Sequence, residues 1–156
     1  MHIAFVTRKT LACLLDGSQT CESRLSINLH PARLAQPGDV LLFKCGDGRA
    51  IAKVKRVDVY RDLTPDDIDE LRQLYGEAVD GRESDLEYWA AKRRSRHAVF
   101  LWLGRVRPVH VPAALLPSTQ SAWVANFDPT EEIKAHLRQS LQRPRRGSYQ
   151  QAALAL

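Results

Sequence analysis

Apolar residues along this chain change repeatedly between the two-residue period of strands and the three-to-four-residue period of helices. Short runs that alternate or are continuously apolar, bounded by turn residues, predict strands. The strands predicted in this way are His2–Val6, Thr20–Ser26, Val40–Cys45, Ala50–Tyr60, Val99–Leu103 and Ala122–Phe127.

Capping residues and helical spacing predict the helices between these strands. Thr7 is placed to cap a short helix that ends at Gly17, and Thr64, followed by Pro65, is placed to start a second helix that ends at Gly76. Two further helices are predicted at Asp85–Arg94 and, with Asp128 as the cap and Glu131 as the third helical residue, from there to about Gln142.

In the longest predicted strand, Ala50–Tyr60, the apolar residues change from one face to the other. Gly46-Asp47-Gly48 separates it from the strand before and predicts a hairpin. Ala52 and Val54 lie on one face of that strand, whereas Val57 and Val59 lie on the other. This switch predicts a β-bulge, which small barrels use to turn a corner.

Strands that follow one another through hairpins, with helices placed between groups of them, indicate an α+β fold rather than a doubly wound sheet. We therefore expect a small mixed β-barrel of about five to six strands with flanking helices. The length of 156 residues suits one domain, predicted at residues 1–142 with the last helix included. Residues 143–156 form a basic segment with little to bury, and we predict a mobile tail there.

Composition limits the classes of function. The net charge of +5 suits a polyanionic partner such as RNA. The three cysteines lack the spacing of a zinc site, and their odd number argues against a disulfide framework. The widely separated His30, His97 and His110 predict no metal site. Because no apolar run approaches the ~20 residues of a membrane span and no signal segment is evident, we expect a cytoplasmic protein.

The segment Gly17–Arg24 places a carboxylate and a guanidinium two residues apart. On an extended strand Glu22 and Arg24 leave the same face. Arg24 is suited to bind a phosphate or a base edge, and Glu22 to accept from an exocyclic amine or to orient Arg24. The alternative interpretation is a structural ion pair that closes the mouth of the barrel.

Basic residues elsewhere offer a surface for a nucleic-acid backbone. Lys53 and Lys55 share a strand, and the densest basic run lies at the end of a predicted helix. Structural explanations exist for both groups, since lysines discourage pairing at sheet edges and cations stabilise helix C-termini. Trp123, among small polar residues, is a candidate for stacking on a base. The candidate phosphate contacts of the basic run are Lys92, Arg93, Arg94 and Arg96.

Several of these segments together resemble the ASCH family of PUA-like barrels. The pattern Gly17-x-x-Thr20-x-Glu22-x-Arg24, followed by Pro37-Gly38-Asp39 and a hydrophobic strand, carries the resemblance. It is extended by Val57–Leu63, Trp89, Ala98–Leu103 and Ser121–Val124, and it spans roughly residues 2–127. The resemblance implies a pseudo-barrel with a cleft between sheet and helices, and a role in binding RNA or modified nucleotides.

Some members of that family are enzymes, and the chain departs from one enzymatic pattern. The small amidohydrolases carry a lysine just before the motif threonine and a threonine two residues before the arginine. This chain has Gln19 and Glu22 there, although it keeps Thr20 and Arg24. Because a glutamine amide cannot act as a base or nucleophile as a lysine can, the amidohydrolase activity is disfavoured.

Taken together, the sequence predicts binding of RNA or a nucleotide with weak sequence specificity, without a metal or cofactor. The cleft would be lined by Glu22, Arg24 and Trp123, with the basic residues on phosphates. One alternative is a nucleic-acid-processing enzyme of the same fold, either a hydrolase of modified nucleosides or a ribonuclease that uses Lys53, Tyr60 and Ser121. The other alternative is an interaction module whose basic face docks an acidic protein.

Overall fold

A computed structural model describes residues 1–80 and 86–142 of the chain. Within these residues, two single turns of 3₁₀ helix, at Pro31–Leu34 and Ala113–Leu115, accompany the regular elements. The strands are β1 (His2–Phe5), β2 (Cys21–Ser26), β3 (Val40–Cys45), β4 (Gly48–Tyr60), β5 (His97–Leu103), β6 (Arg107–Pro108) and β7 (Trp123–Val124). The helices are α1 (Arg8–Asp16), α2 (Pro65–Asp80), α3 (Leu86–Lys92) and α4 (Glu131–Gln142).

The strands of the described residues form one seven-stranded mixed sheet in the order β2-β5-β4-β3-β1-β7, with β6 paired to β4. The β1–β3 pair is parallel and the remaining pairs are antiparallel. The predicted α+β class with flanking helices is confirmed. The sheet has seven strands instead of the expected five to six, and its path of backbone hydrogen bonds is open, because β2 and β7 are edges that do not pair with each other.

Strand β4 joins the two halves of the sheet, and the predicted bulge is confirmed. Residues up to Lys53 pair with β3, whereas those from Val54 onward pair with β5. The register shifts between Val54 and Arg56. A bulge inserts one extra residue and increases the local twist, so the apolar side chains change face where the strand changes partner.

The first helix has the predicted boundaries. The hydroxyl of Thr7 accepts a hydrogen bond from the Thr10 N–H at 3.2 Å, and Gly17 adopts the left-handed conformation with φ of 83°. A residue with a β-carbon would be strained at that φ, which explains the glycine at the helix end.

Two predicted helix boundaries are wrong. Helix α2 continues through Gly76 to Asp80, because Tyr75 and Val79, four residues apart, are both buried in the core. Burial of these side chains outweighs the cost of roughly 1 kcal/mol for one internal glycine. Helix α4 is capped by Thr130 instead of Asp128, since the Thr130 hydroxyl accepts from the Ile133 N–H at 3.3 Å.

Other predicted segments also differ in length, and the last strand differs most. The last strand is only Trp123–Val124, because the chain turns at Asn126, which has φ of 50°. Strand β5 begins at His97, and α3 ends at Lys92 instead of Arg94. Asp85, at the start of the predicted third helix, and the predicted tail at 143–156 lie outside the described residues.

Three apolar clusters hold the helices against the sheet. Leu11 and Leu14 of α1 pack against β3 and β4 in one cluster, while α2 and α3 pack around Phe100 of β5 in another. In the third, Ile133 of α4 contacts the other side of β1 and β3 through Ile3 and Leu42. This arrangement leaves α1, α2 and α3 grouped around the edge strand β2.

A hydrogen-bonded carboxylate ties α2 to the sheet. Asp58 accepts from the Tyr75 hydroxyl at 2.7 Å, from the Trp102 indole N–H at 2.9 Å and from Arg56 at 3.0 Å. The Tyr75 ring stacks on Phe100 with 3.7 Å between centroids. Burial alone would raise the pKa of Asp58, but the bonds from Tyr75, Trp102 and Arg56 outweigh it and hold that pKa below its usual value.

We predict that Asp58→Asn lowers the free energy of unfolding by about 2 kcal/mol, because an amide turns donor hydrogens toward groups that need an acceptor. Denaturant unfolding at pH 7 measures this loss, and Asp47→Asn, in the exposed hairpin turn, is the matched control. Since the folded-state pKa of Asp58 is lowered, its stabilisation is present above the ordinary Asp pKa of roughly 3.9 and disappears as the pH falls further. A difference between wild type and variant that stays constant down to pH 2 would contradict this role.

Candidate functional site

A cavity of about 450 Å³ opens beside the edge strand β2. Its walls come from the N-terminal half of α1, the end of α2, one side of α3 and the end of β1. Because β2 pairs with a strand on only one side among the described residues, none of their strands fills this space. The polar and aromatic residues that line the cavity are Phe5, Thr7, Lys9, Thr10, Cys13, Gln19, Glu22, Ser23, Arg24, Ser26, His30, Asp80, Tyr88 and Lys92.

Glu22 and Arg24 form an ion pair at this cavity. The Arg24 Nε donates to Glu22 Oε1 at 3.0 Å, and the two side chains are 13% and 6% exposed, respectively. The structure thus places both side chains together, as their two-residue spacing predicts. So little solvent reaches the pair that its charges are weakly screened.

Arg24 also connects the two edges of the sheet. Its Nη2 donates to the carbonyl oxygen of Phe5 in β1 at 3.2 Å, and its Nη1 lies 3.5 Å from the carbonyl oxygen of Ala122, just before β7. The side chain thereby spans the gap that backbone pairing leaves open. The contacts are those of a structural ion pair between strands, and the sheet itself is not closed into a barrel.

Trp123 lies behind Arg24, contrary to its predicted role in stacking on a base. Its side chain belongs to the core, with 3% exposure, and is not part of the cavity wall. The Arg24 guanidinium lies 5.4 Å from its ring centroid, and the rings of His2 and His30 pack against it. Its contact with the cation stabilises Arg24 from the side away from the cavity.

Burial shifts the pKa of two groups at the cavity. It raises the pKa of Glu22 above its usual value, and the charge of Arg24 and its hydrogen bond oppose that rise only in part. Burial, together with the nearby charges of Arg24, Lys92 and Arg33, lowers the pKa of His30 to about 4. His30 is therefore neutral at neutral pH, and its Nδ1 accepts from the Ala32 N–H at 3.0 Å.

Tyr88 brings an aromatic ring to the opposite wall. Its hydroxyl lies 2.7 Å from the hydroxyl of Ser23, and burial raises its pKa to about 12. The phenol is therefore neutral at pH 7, and it shares a hydrogen bond with Ser23. Lys92, one turn further along α3, lies with its Nζ 5.8 Å from the Tyr88 ring centroid.

The predicted basic run is divided by the structure. Lys92 lines the cavity, whereas Arg94 and Arg96 are exposed outside it. Arg93 pairs with α2, with Nη2 3.0 Å from Asp69 and 3.7 Å from Asp66. Because Arg93 already contacts two carboxylates, its positive charge is largely offset.

The residues predicted for a ribonuclease are not brought together. Lys53 and Tyr60 are seven positions apart on β4, which corresponds to roughly 20 Å. Tyr60 bonds to the Tyr75 hydroxyl at 2.7 Å, and Ser121 donates to the Trp123 carbonyl at 2.8 Å near the opposite edge of the sheet. These three side chains cannot act on one bond, and neither Lys53 nor the equally exposed Lys55 lines the cavity.

Several residues that line the cavity are not predicted from the sequence. Thr7, Thr10 and Cys13 recur every three positions on α1, on a face distinct from the buried Leu11 and Leu14. This three-residue repeat of small polar side chains is the sequence signal that could have predicted these cavity residues. Lys9, His30, Ser23 and Tyr88 are brought in by tertiary packing, for which their local sequence gives no sign.

Metal and membrane sites are not indicated in the part of the chain that the structure describes. Across residues 1–80 and 86–142, no three His, Cys, Asp or Glu side chains are grouped so that they could hold a metal ion. No described helix combines the length and apolar character needed to cross a bilayer.

Comparison with solved structures identifies the fold. The chain is similar to ASCH from Zymomonas mobilis, with a TM-score of 0.61 and 12% identity over 88% of this chain and 93% of that chain. A Ser-to-Ala variant of that protein gives a TM-score of 0.63 at 11% identity, covering 88% and 94% of the two chains. No protein-family model and no curated protein matches the sequence. The chain thus has the fold of ASCH domains, as its motifs imply.

We predict that Arg24→Ala lowers the free energy of unfolding by about 3 kcal/mol, because it leaves the buried Glu22 carboxylate without its partner. The double variant Arg24→Ala with Glu22→Gln regains part of that loss, since no buried charge then remains. Denaturant unfolding measures both, with the exposed Arg94→Ala as the matched control, expected to change stability by less than about 0.5 kcal/mol.

The stability loss of Arg24→Ala should also depend on pH in a definite direction. Removing Arg24 takes away the influence that lowers the pKa of Glu22, so that pKa rises further. A group whose folded-state pKa is raised stabilises the fold below its unfolded pKa, and this contribution is lost as the pH rises through the folded value. The deficit of Arg24→Ala should therefore shrink as the pH falls from 7 toward 4, and a deficit that grows on acidification would refute the assignment.

Proposed function

We propose that the protein binds RNA by taking one nucleotide into the cavity beside β2, and that a free nucleotide binds in the same place. The observation that carries the proposal is the meeting of Arg24, Lys9 and Lys92 at a cavity of about 450 Å³ that Tyr88 also lines. Cavities of this size bind ligands of nucleotide dimensions. The ASCH resemblance supports the same class of ligand.

The charges at the cavity favour an anionic ligand. Among the described residues that line the cavity, Lys9, Arg24 and Lys92 are basic, whereas Glu22 and Asp80 are acidic. Each carboxylate is already bonded, Glu22 to Arg24 and Asp80 to the Trp89 indole N–H at 2.9 Å. The excess of basic side chains among these described residues suits a phosphate group.

The α3 wall and the β2 wall of the cavity would bind different parts of the nucleotide. In this proposal Lys92 contacts the phosphate, while the Tyr88 ring and the polar edge of β2 contact the base, since all of them line the cavity. Aromatic rings stack on bases of any sequence. Exposed Lys53, Lys55, Arg94 and Arg96 would add contacts to neighbouring phosphates, so specificity for a longer sequence stays weak.

The enzymatic and protein-docking alternatives have less support. Gln19, at the position of the amidohydrolase lysine, is buried and donates its amide to the Cys21 carbonyl at 3.0 Å. It therefore has a structural role, and the predicted ribonuclease residues lie too far apart to share a substrate. The protein-docking alternative does not account for the cavity, whose volume of about 450 Å³ suits a small ligand.

We predict that Lys92→Ala weakens binding of a fluorescently labelled single-stranded RNA and of a mononucleotide by about tenfold at low salt, as loss of one phosphate contact requires. The slope of log affinity against log salt for the RNA should fall by about one unit at most. Fluorescence anisotropy measures the RNA, and calorimetry measures the nucleotide.

Lys53→Ala is the matched control, since it removes the same charge from an exposed strand position outside the cavity. It should leave mononucleotide binding unchanged. Equal effects of the two variants on the mononucleotide, or no binding of either ligand by wild type, would rule out the cavity as the site. Recovered RNA run on a gel shows whether the bound strand is cleaved.

A further inference from the structure

Glu22 has unused hydrogen-bond capacity inside the cavity. Its Oε1 accepts from Arg24 at 3.0 Å, and the Oε2 contact found among the described residues is a long one, 3.4 Å from Gln19 Nε2. A carboxylate offers about four lone-pair sites. With only 5% of the residue exposed, little solvent reaches the remaining sites.

A buried acceptor without donors is costly, so a ligand that supplies a donor gains by filling it. In its ion pair with Arg24 the Glu22 carboxylate can only accept, whereas Arg24 at its side can only donate. The pair therefore presents an acceptor next to a donor along one wall. The complementary ligand edge has a donor next to an acceptor.

We propose that Glu22 selects nucleobases that carry an exocyclic amine, and that uracil is excluded. This inference rests on the proposed function, since it names the class of base that the same cavity takes. Cytosine, adenine and guanine each present an amine at a corner of the ring beside a ring nitrogen that accepts. The amine projects far enough to meet a recessed carboxylate.

Uracil fits the same wall poorly. In uracil the N–H of the pairing edge lies between two carbonyl oxygens. A carboxylate that accepts from this N–H is therefore brought close to both carbonyl oxygens, which repel it. Arg24 can donate to one carbonyl. On the other side Gln19 has directed its amide nitrogen to Cys21 and Glu22, which leaves the second carbonyl facing anionic oxygen. Unpaired polar atoms of this kind reject a ligand strongly.

The test compares CMP with UMP by calorimetry on the wild-type protein, because the two have the same size and charge. We expect CMP to bind about tenfold more tightly or better. GMP against IMP, which differ by the amine alone, gives a second comparison that needs no variant. Equal affinities within both pairs overturn the inference and leave the proposed function standing, whereas no binding of any of these nucleotides overturns both.

The variant Glu22→Gln tests whether Glu22 causes the preference for CMP over UMP. Its amide keeps the size of the side chain and can both donate and accept. Binding of CMP should therefore weaken, binding of UMP should strengthen, and the ratio of their affinities should approach one. A thermal unfolding curve confirms that the variant is folded, and Lys53→Ala should keep the wild-type ratio. A folded Glu22→Gln protein that still prefers CMP as strongly as wild type contradicts the assignment.

Discussion

The contact on which this structure depends is the buried pair of Arg24 and Glu22. The sheet begins at β2 and ends at β7, and backbone hydrogen bonds do not join these edges within the described residues. Arg24 joins them instead, through the carbonyl oxygens of Phe5 and Ala122. Burying a guanidinium is tolerable only when its charge is matched, and Glu22 supplies that match at 3.0 Å.

The same interaction explains why a cavity exists. A barrel closed by strand pairing would have filled the space beside β2 with backbone, whereas closure through one side chain leaves room between β2, α1 and α3. The wall of that space is then the polar pair itself, with unused acceptor sites on Glu22. The residues that join the two edges are thus the same ones to which we assign ligand binding, so a change at one of them should affect both stability and binding.

Local signals predicted most of the elements, and they failed where packing outweighed them. The Gly46–Gly48 hairpin, the Thr7 cap and the bulge near Val54 depend on neighbours in sequence, and all three are present. Gly76 is a helix terminator by local preference, yet α2 continues because Tyr75 and Val79 are buried. Asp128 has the right residue type for a cap, but the chain geometry gives that role to Thr130.

The sequence by itself determined the α+β class, the resemblance to ASCH domains and the pairing of Glu22 with Arg24, since a two-residue spacing on a strand puts two side chains on one face. Only the tertiary structure decided that Trp123 lies behind Arg24, that Lys53 and Tyr60 lie apart, and that α1 and α3 provide the facing walls of the cavity. The reason is that distances between elements follow from how their apolar faces pack, and no local pattern encodes them.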